Sequence, residues 1–231
     1  MMISVVIPTF CEAAAVARAV VSARDTLGRC EVIVVDAGSP DGTGDAARHA
    51  GAHVIVAPGS RAEAMNAGAR AARGGALLFL HADTTLPTGA GDAVRTALEG
   101  ADGGAFRLRF DDRRPLIEAL TDLRARFLGR IYGDQAIFVA RPAFDRLGGY
   151  RPLPIMEDYD LVRRLRRTGR FTLLPLSVET AARRHRDRGA LRTVARIWAI
   201  QFLYHAGVSP TRLARHYPPA TTARNAGSRQ R

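Results

Sequence analysis

Acids punctuate this chain where its apolar runs stop. Ile33-Val34-Val35 ends at Asp36, Leu77-Leu78-Phe79-Leu80 is followed shortly by Asp83, and the turn before Met156 leads into Glu157-Asp158. Buried strands of an open α/β sheet present their carboxyl ends to one crevice, so acids delivered there gather around a ligand rather than in a core. Such a set can accept from a base or a ribose, hold a divalent cation and take the proton of an attacking hydroxyl. The pattern is that of an enzyme.

Taken singly, most of these residues also have a plainer reading. Asp36 is expected to face the crevice and accept from an NH or a ribose hydroxyl, while Asp41, beyond Ala37-Gly38-Ser39-Pro40, equally reads as a helix cap. Asp83 lies where one carboxylate can share a cation with phosphate oxygens and water, or can cap the next turn. His81 has three readings: metal ligand, ribose contact or structural histidine. It argues against a D-x-D-x-T phosphatase, whose nucleophilic aspartate would stand there. Asp158, in the first turn of a helix, would be held ionised by the helix dipole as a general base, with Glu157 orienting the acceptor; alternatively both acids cap an arginine-rich helix. Arg61, after Gly59-Ser60, suits a diphosphate or a base, whereas Asn66 and Gly68 read most simply as packing. Asp134 and Gln135 form either part of an acceptor floor or a structural turn.

The elements that must position these residues follow from periodicity. Strands are expected at Ile3 to Ile7, Val32 to Val35, His53 to Val56 and Ala76 to Leu80, alternating with helices at about Ala13 to Arg24, after Asp41-Gly42-Thr43, and from Arg61 to about Arg73. The rhythm then changes: Ala105 to Phe110 alternates like a half-exposed strand around Arg107 and Arg109, and Ala136 to Ala140 is a further strand. From Asp158 to Arg167 a helix buries Leu161, Val162 and Leu165 and leaves Arg163, Arg164, Arg166 and Arg167 wet. The expected fold is α/β, a mixed and mostly parallel central sheet flanked by helices, in one domain over residues 1–217 with a disordered tail over 218–231.

Composition narrows the chemistry. The 231 residues are 47% hydrophobic and carry a formal charge of +12, with a pI near 11.2, so the surface attracts anions. All 34 cationic residues are arginine, which excludes a P-loop lysine or a Schiff base. No G-x-G-x-x-G follows the first strand, so nicotinamide chemistry is not expected. Cys11 and Cys30 form neither a disulfide framework nor a metal-ligand spacing, and with no basic and apolar leader the expected location is the cytoplasm.

Ser4 to Glu12, Val32 to Thr43, His81-Ala82-Asp83 as a version of D-x-D, and Met156-Glu157-Asp158 occur in the order seen in family 2 glycosyltransferases of the GT-A fold. The chain resembles most the small bacterial subgroup with a Leu-His-Ala-Asp-Thr element and Gly-Asp-Gln before the last core strand, over about Ile3 to Tyr217. The resemblance implies inverting transfer of a sugar from a nucleoside diphosphate donor with Mg or Mn. It places Pro8, Thr9, Glu12 and Asp36 on the nucleoside, Asp83 on the metal and Asp158 as base; Arg61 and His81 join the nucleotide-binding set on their own chemistry. The departures are His81 in place of the first aspartate of D-x-D, and Arg183-Arg184-His185 where processive synthases carry Q-x-x-R-W.

Arg183, Arg184, Arg186, Arg188 and Arg192 precede Ile197-Trp198-Ala199-Ile200 and Phe202-Leu203-Tyr204. These read as basic amphipathic helices, either lying in an anionic membrane interface on its inner face and meeting a lipid-linked acceptor, or packing on the domain. No apolar run reaches the ~20 residues of a spanning helix. Nucleic acid is not an expected partner, because charge alone supports it and no recognition motif does. The remaining rival is a non-catalytic protein that binds nucleotide sugars.

Overall fold

The computed structural model describes residues 1–181 and 190–216. The chain divides into two compact units, Met1–Ala182 and Arg183–Arg231. Phe171–Thr180 is the last strand to join the sheet, and the described residues beyond it are helices and turns.

The first unit is a layered α/β fold. β1 (Ile3–Thr9), α1 (Ala13–Leu27), β2 (Cys30–Asp36), α2 (Thr43–His49), β3 (His53–Val56), α3 (Arg61–Ala71) and β4 (Ala76–Phe79) alternate as the periodicity requires. They are followed by β5 (Thr84–Thr85), α4 (Ala90–Gly100), β6 (Gly103–Phe110), α5 (Pro115–Leu128), a 3-10 turn (Gly133–Gln135), β7 (Ile137–Ala140), α6 (Arg141–Arg146), α7 (Glu157–Thr168) and β8 (Phe171–Thr180). The sheet order is β3-β2-β1-β4-β7-β6-β8-β5. The first four strands are mutually parallel, as are β6 and β8, while β7 runs antiparallel to both β4 and β6, and β5 to β8.

Parallel strands buried on both faces must be apolar on both, and these are. Ile3, Val5 and Ile7 of β1 face one core with Val16, Val20 and Leu27 of α1, while Val6 faces the other with Met65 of α3 and Leu161 of α7. Gly68 allows α3 to close on the sheet, since a Cβ there would collide with Val6. Asn66 holds the chain at Tyr150 with two hydrogen bonds, from its amide to the Tyr150 carbonyl at 2.8 Å and from the Tyr150 N–H to its oxygen at 2.9 Å. Both residues are therefore part of the packing.

Arginine supplies much of the polar framework. Arg141 donates to the carbonyls of Ala69, Ala72 and Gly74, closing the end of α3. Arg164 is not wet, as its place between Arg163 and the exposed Arg166 implies, but mostly buried: it bonds Asp160 at 2.7 Å and the carbonyls of Leu147 and Gly149, tying α7 to the loop before it.

The second unit contains α8 (Ala190–His205) and α9 (Pro210–Ala214). The two meet in a turn where the Val208 N–H reaches the Leu203 carbonyl at 3.0 Å and Ser209 caps α9. Phe202 and Leu203 of α8 are exposed. Arg183, Arg184, His185, Arg186, Arg188 and the expected tail over 218–231 lie outside the described residues. No helix among the described residues is long and apolar enough to cross a membrane.

Candidate functional site

The carboxyl ends of β3, β2, β1 and β4 share one edge of the sheet, and the loops leaving it are tied together before any ligand arrives. Asp36, buried at the end of β2, accepts from the N–H and hydroxyl of Ser39, and the same hydroxyl accepts from the Cys11 N–H at 2.8 Å. One turn on, Thr43 donates to Asp41 and accepts from the Glu12 N–H at 2.9 Å, while Asp41 also accepts from the Ala13 N–H at 3.2 Å. The β1–α1 and β2–α2 loops are thus joined rung by rung, with Glu12 and Pro8 half-buried beside them. Asp41 stands one residue before Gly42, the N-cap of α2, and ties the two loops; burial would raise its carboxyl, but the bonds from Thr43 and Ala13 outweigh it and hold it below its ordinary value. Thr9 is buried with its hydroxyl directed at the Val35 carbonyl, so it braces β1 against β2.

A second cluster forms where α3 and α7 begin. Ser60 and Glu63 make a capping box that starts α3 at Arg61, the Ser60 N–H donating to Glu63 at 2.7 Å. α7 starts at Glu157 after Met156, which takes a left-handed conformation (φ 67°) to turn the chain, and its first turn holds Glu157, Asp158 and Asp160 at the positive end of the helix. Arg61 bridges the two helices: Nε donates to Glu157 at 2.7 Å, one terminal nitrogen to Asp158, and the other lies 3.0 Å from His81 Nε2. Guanidinium has no acceptor, so His81 Nε2 accepts and the ring is neutral in this arrangement. Gly133 lies against the same groups, where a Cβ would collide with Asp158, His81 and Arg61.

The electrostatics of this cluster are unbalanced, one cation facing two buried acids. Burial, then Glu157 and Asp134, push the Asp158 carboxyl up to about 7, against the pull of Arg61 and a bond from the Gly133 backbone. Burial alone would lower the Arg61 guanidinium, but Asp158 and Glu157 outweigh it and hold it above its ordinary range. Arg61 remains 37% exposed, and Asp158 only 5%. Among the described residues, Asp158 Oδ1 is buried with no hydrogen-bond partner. A buried carboxylate oxygen left without a partner is costly to the fold.

The structure brings together Arg61, His81, Glu157 and Asp158, and sets Thr9 and Asp36 at the ends of neighbouring strands. Asp83 is half-buried past β4, anchored by its carbonyl, which accepts from Ala181 at 3.1 Å. No three His, Cys, Asp or Glu among the described residues gather as a complete ligand set. The residues present therefore fit a cation as a partial ligand set, such as the Asp83 carboxylate, completed by phosphate oxygens and water, the mode in which Mg commonly binds. Asp134 is half-buried and Gln135 fully so, with its amide donating to the Phe106 carbonyl at 3.1 Å, which turns that side chain into the sheet and away from the surface.

Sequence reasoning missed Gly133, Tyr132 and Tyr150. The Tyr132 ring stacks on Tyr159, and Arg124 sits 4.5 Å over it, so this pair fixes the segment that covers Asp158. Tyr150 lies buried beside Asp158, and burial, then that carboxylate, raises its phenol well above the ordinary value. The glycine preceding Asp134 was the one available signal, since it permits a close approach.

The model of glycosyl transferase family 2 matches residues 4–134. No curated protein matches the chain. Among solved structures, S. aureus TarS 1-349 aligns with a TM-score of 0.66 at 16% identity, covering 78% of this chain and 60% of that one. The mannosyltransferase PcManGT from Pyrobaculum calidifontis, in complex with GDP-Man and Mn2+, aligns at 0.67 and 21% identity over 95% of this chain and 65% of its own. Glucosyl-3-phosphoglycerate synthase from Mycobacterium tuberculosis aligns at 0.58 and 23% identity, covering 76% and 70%. These likenesses are likenesses of fold, that of the GT-A glycosyltransferases.

Proposed function

Because the chain belongs to glycosyl transferase family 2, we propose that its strand-end site moves a sugar, with inversion, from a nucleoside diphosphate donor to a hydroxyl or carboxyl acceptor. The observation that carries this reading is the unshared, buried Oδ1 of Asp158, on a carboxyl whose pKa is raised to about 7. A base is most effective when its pKa lies near the working pH, because it is then both ionised and able to hold the proton it takes.

The joined loops with Pro8, Thr9, Glu12 and Asp36 would receive the nucleoside. Two of these have limits set by their packing: Asp36 already accepts from Ser39, and the Thr9 hydroxyl is turned to β2, so contact there would use the remaining lone pairs or the backbone. Asp83 would hold Mg or Mn, whose charge offsets that developing on the leaving diphosphate. Arg61, forked and permanently charged, would exchange part of its contact with Glu157 and Asp158 for the donor phosphates, and His81 follows it as an acceptor. That exchange would free the second oxygen of Asp158 for the acceptor. Glu157 and Asp134 would orient the acceptor, with Gln135 supporting the turn from below. The TarS structure of the same fold has been described in complex with UDP-GlcNAc, which supports a nucleotide sugar as the donor class. We further propose a lipid-linked acceptor and a peripheral position on the inner face of a membrane.

The experiment is release of nucleoside diphosphate from UDP- and GDP-sugars with Mn. Asp158→Asn should lower transfer by ~10²–10⁴-fold and retain donor binding by calorimetry. Normal turnover in that variant removes Asp158 as base, and donor binding without turnover in the wild type leaves the non-catalytic reading in its place.

A further inference from the structure

Helix α5 packs on the domain through Ile117 and Ala125 and leaves a second apolar face in solvent. Leu116, Leu120, Leu123 and Phe127 share one face and are 73%, 37%, 54% and 77% exposed. The acids of the helix turn inward: Glu118 accepts from the Phe110 and Arg114 N–H groups at 3.0 and 3.1 Å, and Asp122 pairs with Arg107 and Arg126 at 3.3 and 2.8 Å. A helix that turns its acids to the protein and an apolar face to solvent offers a surface to something apolar. We propose that this face is the surface by which the protein lies on an anionic lipid bilayer.

Size and charge select that occupant. Four side chains in one stripe fall well short of the ~800 Å² per partner that specific protein interfaces bury, which disfavours a second copy. The positive excess of the chain is concentrated elsewhere: Arg183–Arg231 carries 11 arginines and a single acid, Asp187, whereas the preceding residues carry 23 arginines and 21 acids. That C-terminal unit also exposes Phe202 and Leu203 on α8. An apolar stripe and a polybasic segment are the two signals that together give stable attachment where either alone is marginal. An anionic bilayer answers both, while an apolar protein groove answers only the first. From α5 the chain runs directly into Tyr132 and Gly133, which cover Asp158, and Arg124 of α5 lies over the Tyr132 ring. The inference deepens the transferase reading, resting on it for the lipid-linked acceptor but not for the docking itself.

The test uses the full chain with vesicles of mixed phosphatidylglycerol and phosphatidylcholine, and of phosphatidylcholine alone. Leu120→Glu/Leu123→Glu and the uncharged Leu116→Gln/Phe127→Gln should each lower partition onto the mixed vesicles by about tenfold or more. Added salt should weaken the variants further than the wild type, because only the basic segment then holds them. Unchanged partition in both variants overturns the proposal. So does a wild-type dimer that the variants split while partition stays the same, which would give the stripe to a second copy. Partition needs no donor and Asp158→Asn should bind vesicles like the wild type, so failure of transfer with every donor would sink the transferase reading and leave this result standing.

Discussion

Helices α5 and α7 have similar ingredients and opposite fates. Both carry leucines at helical spacing, acids near the start and arginines near the end. α7 buries Leu161, Val162 and Leu165 against the sheet, and its first-turn acids go in with them because Arg61, Arg151 and Arg164 are there to meet them. α5 buries Ala125 and keeps its acids on the inner side, but Leu116, Leu120, Leu123 and Phe127 stand in solvent. Periodicity therefore says that a helix has an apolar face, and the partner available decides whether that face is core or surface. At the start of α7, Glu157 and Asp158 share the Arg61 guanidinium, and Asp158 Oδ1 is left without a hydrogen-bond partner.

The sharpest way to break this contrast is at the acids. Asp158→Asn should lower transfer by ~10²–10⁴-fold, the range of a positioned general base, while the α5 substitutions leave turnover of a water-soluble acceptor unchanged. Next comes the core. Leu161→Ala in α7 should cost ~2–5 kcal/mol in denaturant unfolding, as large-to-small changes in a filled core do. A loss as small as that of a surface site would mean that α7 is not packed as described.

The pH response should separate the two helices again. Transfer should rise as pH increases through about 7, where the Asp158 carboxyl ionises, and Arg61→Gln should move that limb upward, because the guanidinium opposes the shift. For stability the sign is the reverse: a carboxyl raised in the folded chain from its ordinary 3.8 binds its proton more tightly folded than unfolded. Stability should therefore fall as pH rises between those values, and Asp158→Asn should flatten the slope, measured as unfolding midpoint against pH. The smallest effect is expected at Leu116→Ala in α5, within about 0.5 kcal/mol of the wild type. A larger loss would show that the stripe is covered after all.

Much of the first half was legible because its signals are local. The strands from β1 to β4 are continuous apolar runs, Ser60 and Glu63 mark the start of α3, and the acids at strand ends follow from the class of sheet. What escaped depends on partners distant in sequence. β8 has no strong alternation and is defined by pairing with β6; β5 is two residues long and exists only against β8. α5 turns only Ile117 and Ala125 inward, while its more conspicuous apolar spacing, Leu116, Leu120, Leu123 and Phe127, faces out. Arg164 belongs to a run of arginines that looks uniformly wet, and only the carbonyls of Leu147 and Gly149 single it out.

By itself the sequence determined the α/β class, the parallel half of the sheet and the placing of Asp36 at the end of one of its strands, because strand burial depends on neighbours a few residues away. Only the tertiary structure decided that Arg61 spans Glu157, Asp158 and His81, that Gly133 closes over them, and that α5 faces outward. Those outcomes turn on which side chains meet across ~100 residues of chain, as between Arg61 and Asp158 (97 apart), and on burial, which sets the charge state of a carboxyl no local pattern can reveal.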